Sequence, residues 1–183
     1  MTVKEAVLAA ATELGIFEEV ENYILGVSEE GKTKVELLLK CFQLVENELA
    51  LDYIPLSAED EIYSATGHIK FETLSRSAVR IVSVTDASGN DADFKLYADH
   101  LVTQAGKVKI TYTYTPKQKT LNDQSDFKLY VSPRLIGYGI AVEYSLVCGM
   151  FEEAAVWDRK YKEAIEAVYR AHPARRIRSR RWV

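Results

Sequence analysis

The stretch GVSEEGKT, Gly26–Thr33, fits the G-x-x-x-x-G-K-[ST] spacing of a phosphate-binding loop. Such a loop works because backbone N–H groups and a helix N-terminus converge on an anion just after a buried strand. Here the preceding residues carry Phe17, Val20 and Ile24 at helical spacing, ending at Gly26. Glu29 and Glu30 inside the loop would repel the phosphates, and no later strand ends in an acid placed to hold magnesium. An ordinary helix start explains the same residues: Ser28 as cap, with Glu29 and Glu30 near the positive helix end.

Other reactive side chains are no better arranged. FEEAAVWDRKY (151–161) offers Glu152, Glu153 and Asp158, but these suit the wet face of an amphipathic helix, with Asp158 and Lys162 spaced for an i, i+4 ion pair. His68, His100 and His172 are far apart in sequence, and Cys41 and Cys148 sit among apolar residues, as free buried thiols would. There is no G-x-S-x-G elbow and no H-E-x-x-H pair. The expectation is a protein that is not an enzyme, with no catalytic residue, no cofactor and no metal.

The elements around these residues change period twice. Thr2 and Glu5 form a T-x-x-E capping box before Val3, Ala6, Val7, Ala10 and Leu14, and Gly15 stops that helix. Val35, Leu38, Leu39, Phe42, Val45 and Leu49 predict a long helix ending near Tyr53, ahead of Pro55. GKVKITYTYTP then alternates, with Val108, Ile110, Tyr112 and Tyr114 on one face. HIKFETL and AVRIVSV share this β character, and ASGND and QAGK supply turns, so residues 60–131 read as a small antiparallel sheet. Ser132 as N-cap and Pro133 at N1 start a helix marked by Leu135, Tyr138, Val142 and Leu146. Gly149 breaks it, and Ala154, Trp157, Tyr161, Ala164 and Val168 mark a last helix up to Pro173.

The fold class is therefore α+β: mainly a helical bundle, with an inserted small antiparallel β-domain and an extended basic C-terminal tail. The expected boundaries are 1–58 for the N-terminal helices, 59–131 for the inserted β-domain, 132–173 for the closing helical hairpin and 174–183 for the tail. With 183 residues and 48% hydrophobic content, the chain can bury a sizeable core. No apolar run approaches the roughly 18 residues that span a bilayer. The start MTVKEAVLAAATELG lacks a basic n-region, so no membrane partner and a cytoplasmic origin are expected.

The end, RRIRSRRWV, is unlike the rest. The net charge is −4; without the five arginines of 175–183, 18 basic residues face 27 acidic ones, or −9 for residues 1–174. Arginine and tryptophan dominate binding hot spots, and arginine forks clamp carboxylates. Arg175, Arg176, Ile177, Arg178, Arg180, Arg181 and Trp182 are the candidate docking residues.

The segment YGIAVEYSLVCGMFEEAAVWDRKYKEAI, Tyr138–Ile165, resembles the closing hairpin of tailed-bacteriophage head–tail adaptor (connector) proteins. Lys107–Pro116, leading through a loop into the helix at Ser132, resembles the end of the sheet inserted in the same family. The resemblance implies a structural component of the virion neck. It would form a twelve-fold ring on the portal protein, extend the DNA exit channel and contact a downstream neck or tail protein. It also implies that the tail docks on the portal, while DNA passes without specific binding, since a sticky lining would hinder release. The alternatives are another neck component (a stopper or tail-completion protein) or a nucleic-acid-binding accessory protein that uses the tail.

Overall fold

The computed structural model describes residues 1–129 and 131–171. Among the described residues five α-helices and two small antiparallel sheets give an α+β fold. The chain divides into two compact units, residues 1–46 with 118–183, and residues 47–117. The β-unit is inserted, as expected, but its boundaries differ from 59 and 131. Strand β1 already begins at Leu56, and residues 118–131 belong with the helices.

The helical unit starts with α1, Val3–Glu13. The capping box is formed: Thr2 Oγ accepts from Glu5 N–H at 3.2 Å and Glu5 Oε2 accepts from Thr2 N–H at 2.9 Å. Two further first-turn donors of α1 are satisfied from far along the chain. Val3 N–H bonds the Asp123 carbonyl at 3.0 Å and Lys4 N–H the Leu121 carbonyl at 3.1 Å. The strap 118–126 is thereby tied to the N-terminus, which is why it joins this unit.

Helix α2, Phe17–Ile24, buries Val20 and ends at Gly26, whose φ of +74° suits glycine. Helix α3, Lys32–Glu48, begins four residues after Ser28 and buries Val35, Leu38, Cys41, Phe42 and Val45. The predicted run to Tyr53 continues only as a π-helical turn, Leu49–Tyr53, closed by Ile54 N–H on the Leu49 carbonyl.

Helix α4, Pro133–Val147, is capped as the sequence predicts: Ser132 Oγ accepts from Leu135 N–H at 3.1 Å. It is buried more widely than one stripe, with Ile136, Gly137, Gly139, Ile140, Ala141 and Tyr144 all inside. The glycines permit this. A Cβ at Gly139 would lie 2.7 Å from Val45 Cγ1 on α3 and 3.0 Å from Tyr161 on α5. Helix α5, Phe151–Ala171, buries Ala154, Tyr161 and Ile165 against it.

A charged pair lies inside this unit. Glu46 on α3 is 0% exposed, and its carboxylate accepts from Lys119 Nζ at 2.9 Å, Ser125 Oγ at 2.7 Å and Asp126 N–H at 3.0 Å. Lys119, itself 8% exposed, also lies 3.4 Å from Asp126.

The β-unit contains β1 (Leu56–Ser64), β2 (His68–Lys70), β3 (Ala78–Asp86), β4 (Lys95–Leu96), β5 (His100–Val102) and β6 (Gly106–Tyr114). One sheet has the order β1-β6-β3 and the other β2-β5-β4, all antiparallel. The predicted alternation of β6 holds: Val108, Ile110 and Tyr112 are buried with Ile81, Val84, Ile69 and Leu101. The Tyr112 hydroxyl donates to Asp60 Oδ2 at 2.7 Å, and Ser75 adds its N–H at 2.7 Å and its hydroxyl at 2.8 Å. Burial would raise the Asp60 carboxyl, but these donors outweigh it and hold it below the usual carboxylate range.

Glu46→Ala leaves Lys119 without its main partner and should cost about 3–5 kcal/mol in urea unfolding. A loss typical of an exposed acid would show that the strap is not held there. Asp60 contributes stability that is complete above its unfolded value near pH 4, roughly, and lost as pH falls through its lower folded value. Acid titration of Asp60→Asn should therefore lack part of the wild-type loss of β-unit structure below about pH 4; identical acid profiles would remove Asp60 from that role.

Candidate functional site

The residues expected to dock, Arg175, Arg176, Ile177, Arg178, Arg180, Arg181 and Trp182, lie outside the described residues. The described structure does place the hairpin that leads to them, and the surfaces on each unit available to partners.

Helix α5 carries i, i+4 ion pairs along its wet face: Lys162 with Asp158 at 2.7 Å and Arg170 with Glu166 at 2.8 Å. The carboxylates of 151–161 that might have suggested acid–base chemistry are thus partly structural. At the other edge of the hairpin, Lys160 Nζ lies 4.2 Å from the Trp157 ring centroid and 5.7 Å from that of Tyr138. Arg134 covers Tyr138 at 5.3 Å while reaching Glu13 at 3.7 Å. This cation–aromatic cluster ties α1, α4 and α5 together on the surface.

The α4–α5 turn is apolar and open. Val147 is 62% and Phe151 70% exposed, flanked by Leu146 and Cys148. The expectation that both thiols are buried therefore holds only for Cys41. Cys148 follows the last residue of α4, where the chain turns at Gly149, φ +75°, so packing from neighbouring helices no longer covers it. Burial first, then the Glu143 carboxylate and Cys148, push the Cys41 thiol up to about 12. Both cysteines are free.

Residues 26–33 form no phosphate loop. They run from the end of α2 into α3, and Gly31 sits so close to Glu19 and Tyr23 that a Cβ there would overlap the Glu19 carbonyl. Ser28 Oγ accepts from Glu30 N–H at 3.2 Å in the turn between the helices. That hydroxyl, expected at the helix cap, closes a turn four residues early instead.

In the β-unit the structure brings together two histidines that sequence spacing kept apart. His68 and His100 lie opposite ends of the β2–β5 pairing, with rings stacked at 5.6 Å, and Tyr97 stacks on His100 at 4.7 Å. His100 Nδ1 is 2.7 Å from Asp99 Oδ1. Only the pairing register could have disclosed this group. Among the described residues no group of three or more His, Cys, Asp or Glu is arranged to hold a metal ion.

The two edges of the β1-β6-β3 sheet differ. Strand β3 carries two register shifts, and its end is hydrogen-bonded to 90–92 through Ala92 N–H on the Val84 carbonyl at 2.8 Å and Asp86 N–H on the Asn90 carbonyl at 2.9 Å. Strand β1 pairs with β6 without interruption over nine residues. It is an edge strand, and among the described residues no backbone bond reaches its outer side. Its wet face shows Ser57, Glu59, Glu61 and Tyr63. Lys109 and Lys107 approach Glu59 and Glu61 diagonally from β6, at 2.5 and 2.6 Å. The Lys107 hydrogen bond, with its charge, holds the Glu61 carboxyl below its usual range.

Among the described residues no helix is long and apolar enough to cross a membrane. No protein-family model matches this chain, and no curated protein matches it significantly.

The two thiols should separate cleanly in a labelling experiment. A water-soluble maleimide at neutral pH should modify Cys148 within minutes and leave Cys41 unmodified until the chain is unfolded, raising the count from one thiol to two. Two fast-reacting thiols in the native protein would contradict the burial of Cys41.

Proposed function

We propose that this protein is a structural head–tail adaptor of a tailed bacteriophage, located in the virion neck, with a role in assembly rather than catalysis. One observation carries the reading: an antiparallel β-unit interrupts a helical unit, which the close-packed hairpin α4–α5 completes before the chain runs into the basic segment 175–183. This is the order that the resemblance at Tyr138–Ile165 implies for adaptors. Gly137 and Gly139 support it, since they let α4 pack closely enough against α1, α3 and α5 to make a rigid base for the segment beyond α5.

In this reading copies of the protein form a ring on the portal protein, Arg175–Trp182 fasten each copy to it, and a downstream neck or tail protein is met on the far side. DNA passes through without specific binding. The acidic balance of residues 1–174 favours such passage, because phosphates meet few lysines and arginines to hold them.

The decisive experiment adds full-length protein, and a form ending at residue 174, to the isolated portal ring of the same virus and counts bound copies by electron microscopy. Full-length protein should decorate the ring with one copy per portal subunit, and the shortened form should keep its circular dichroism but fail to bind. Absence of binding by the full-length protein sinks the adaptor reading. Steeply salt-dependent DNA binding lost with the tail would then favour a nucleic-acid-binding accessory protein.

A further inference from the structure

Strand β1 presents an unusual edge. Natural sheets blunt exposed edges with bulges, short strands, charges or a covering segment. Strand β3 uses two of these devices, its register shifts and the segment 90–92, whereas β1 is regular over all nine residues and, among the described residues, takes no backbone bond on its outer side. Its protection is chemical. A second copy of β1 laid antiparallel along the edge, centred on Asp60, would place Glu59 opposite Glu61 twice, and like charges directly opposite destabilise a ladder. The edge therefore refuses its own copy and favours a cationic extended strand.

The chain contains such a strand in sequence. Residues 175–183 equal β1 in length: Arg176, Arg178, Arg180 and Trp182 share one parity, and Ile177, Ser179 and Val183 share the other with Arg175 and Arg181. Laid antiparallel, with Leu56 against Val183, every residue of the segment meets one of β1. Arg180 then faces Glu59 and Arg178 faces Glu61 on the wet side. Ile177 faces Ile62 and Val183 faces Leu56 on the side turned to the sheet's core. The antiparallel alignment sets Arg181 and Arg175 against the small Ala58 and Ser64, whereas the parallel one sets them against Leu56 and Ile62, so the antiparallel one is favoured.

We propose that the outer edge of β1 is a docking site for residues 175–183 of a second copy, which adds a fourth strand to the β1-β6-β3 sheet. Main-chain hydrogen bonds supply the binding, Glu59 and Glu61 select a cationic strand, and Leu56 and Ile62 select its direction. The contact is heterologous: the edge of one copy takes the segment of the next, so repetition generates rings or open chains rather than a closed pair. The proposal rests on the reading of 175–183 as a docking segment and gives it a station before the portal is met. Capture by the portal is then an exchange of partner.

The test uses the full chain without portal, measuring mass against concentration by sedimentation velocity. Wild type should associate. Glu59→Gln/Glu61→Gln, with little effect on the exposed face, should weaken association roughly tenfold, and Glu59→Lys/Glu61→Lys by more. A synthetic peptide of residues 174–183 should dissociate the wild-type assembly. Of two peptides N-methylated on alternate residues, which keep the charge, the one blocked on its ladder side should fail to do so. A wild-type protein that stays monomeric at every concentration overturns the proposal, as does association unchanged in both double variants, or competition by both methylated peptides. The adaptor reading is judged separately: the double variants should still bind the portal, and loss of portal binding by wild type would leave the self-association result standing.

Discussion

The helical unit depends on one buried carboxylate. Glu46 has surrendered its water and is repaid by an ammonium, a hydroxyl and a backbone N–H, all from the strap 118–126. An apolar side chain at 46 would pack as well against α3's neighbours but would fit many placements of the strap. Directional bonds to Ser125 and Asp126 fit one. Once the strap is set, its carbonyls at 121 and 123 meet the first turn of α1, and Ser132 lies where it must begin α4. The close approach of α4 at Gly137 and Gly139 uses that placement.

Much of the architecture was legible because it is written in local rules. The capping box at Thr2–Glu5, the Ser132–Pro133 start and the strict alternation of Val108–Tyr114 each depend on neighbours within a few residues. What escaped depends on distant ones. Nothing near Glu46 in sequence announces a partner 73 positions on. Residues 118–131 read as part of the β-domain because they lack helical period, although their bonds go to α1 and α3. Cys148 reads as buried among apolar neighbours, yet those neighbours form an open turn.

The candidate site was legible only as composition. Arginine, tryptophan and the absence of acids are why we propose 175–183 as a contact segment, and they do not say what it contacts. The surface we propose to answer it, the outer edge of β1, appears in sequence as an ordinary alternating run, Leu56–Ser64. Its special status comes from being at the end of the order β1-β6-β3, a fact of pairing rather than of residue type. Likewise the stack of Tyr97, His100 and His68 exists because β2 and β5 pair in one register.

The tie between the N-terminus of α1 and the carbonyls of the strap sets an order of events during synthesis. Residues 47–117 are continuous, so the β-unit has all its strands as soon as Tyr114 clears the ribosome. The helical unit does not. Helices α1 to α3 emerge before the β-unit, yet the first turn of α1 waits for residues 121 and 123, and the core of α3 for α4. The helices made before the inserted unit are thus finished after it, and their apolar faces stand open while that unit is built. Closing the strap over Glu46 ends that interval.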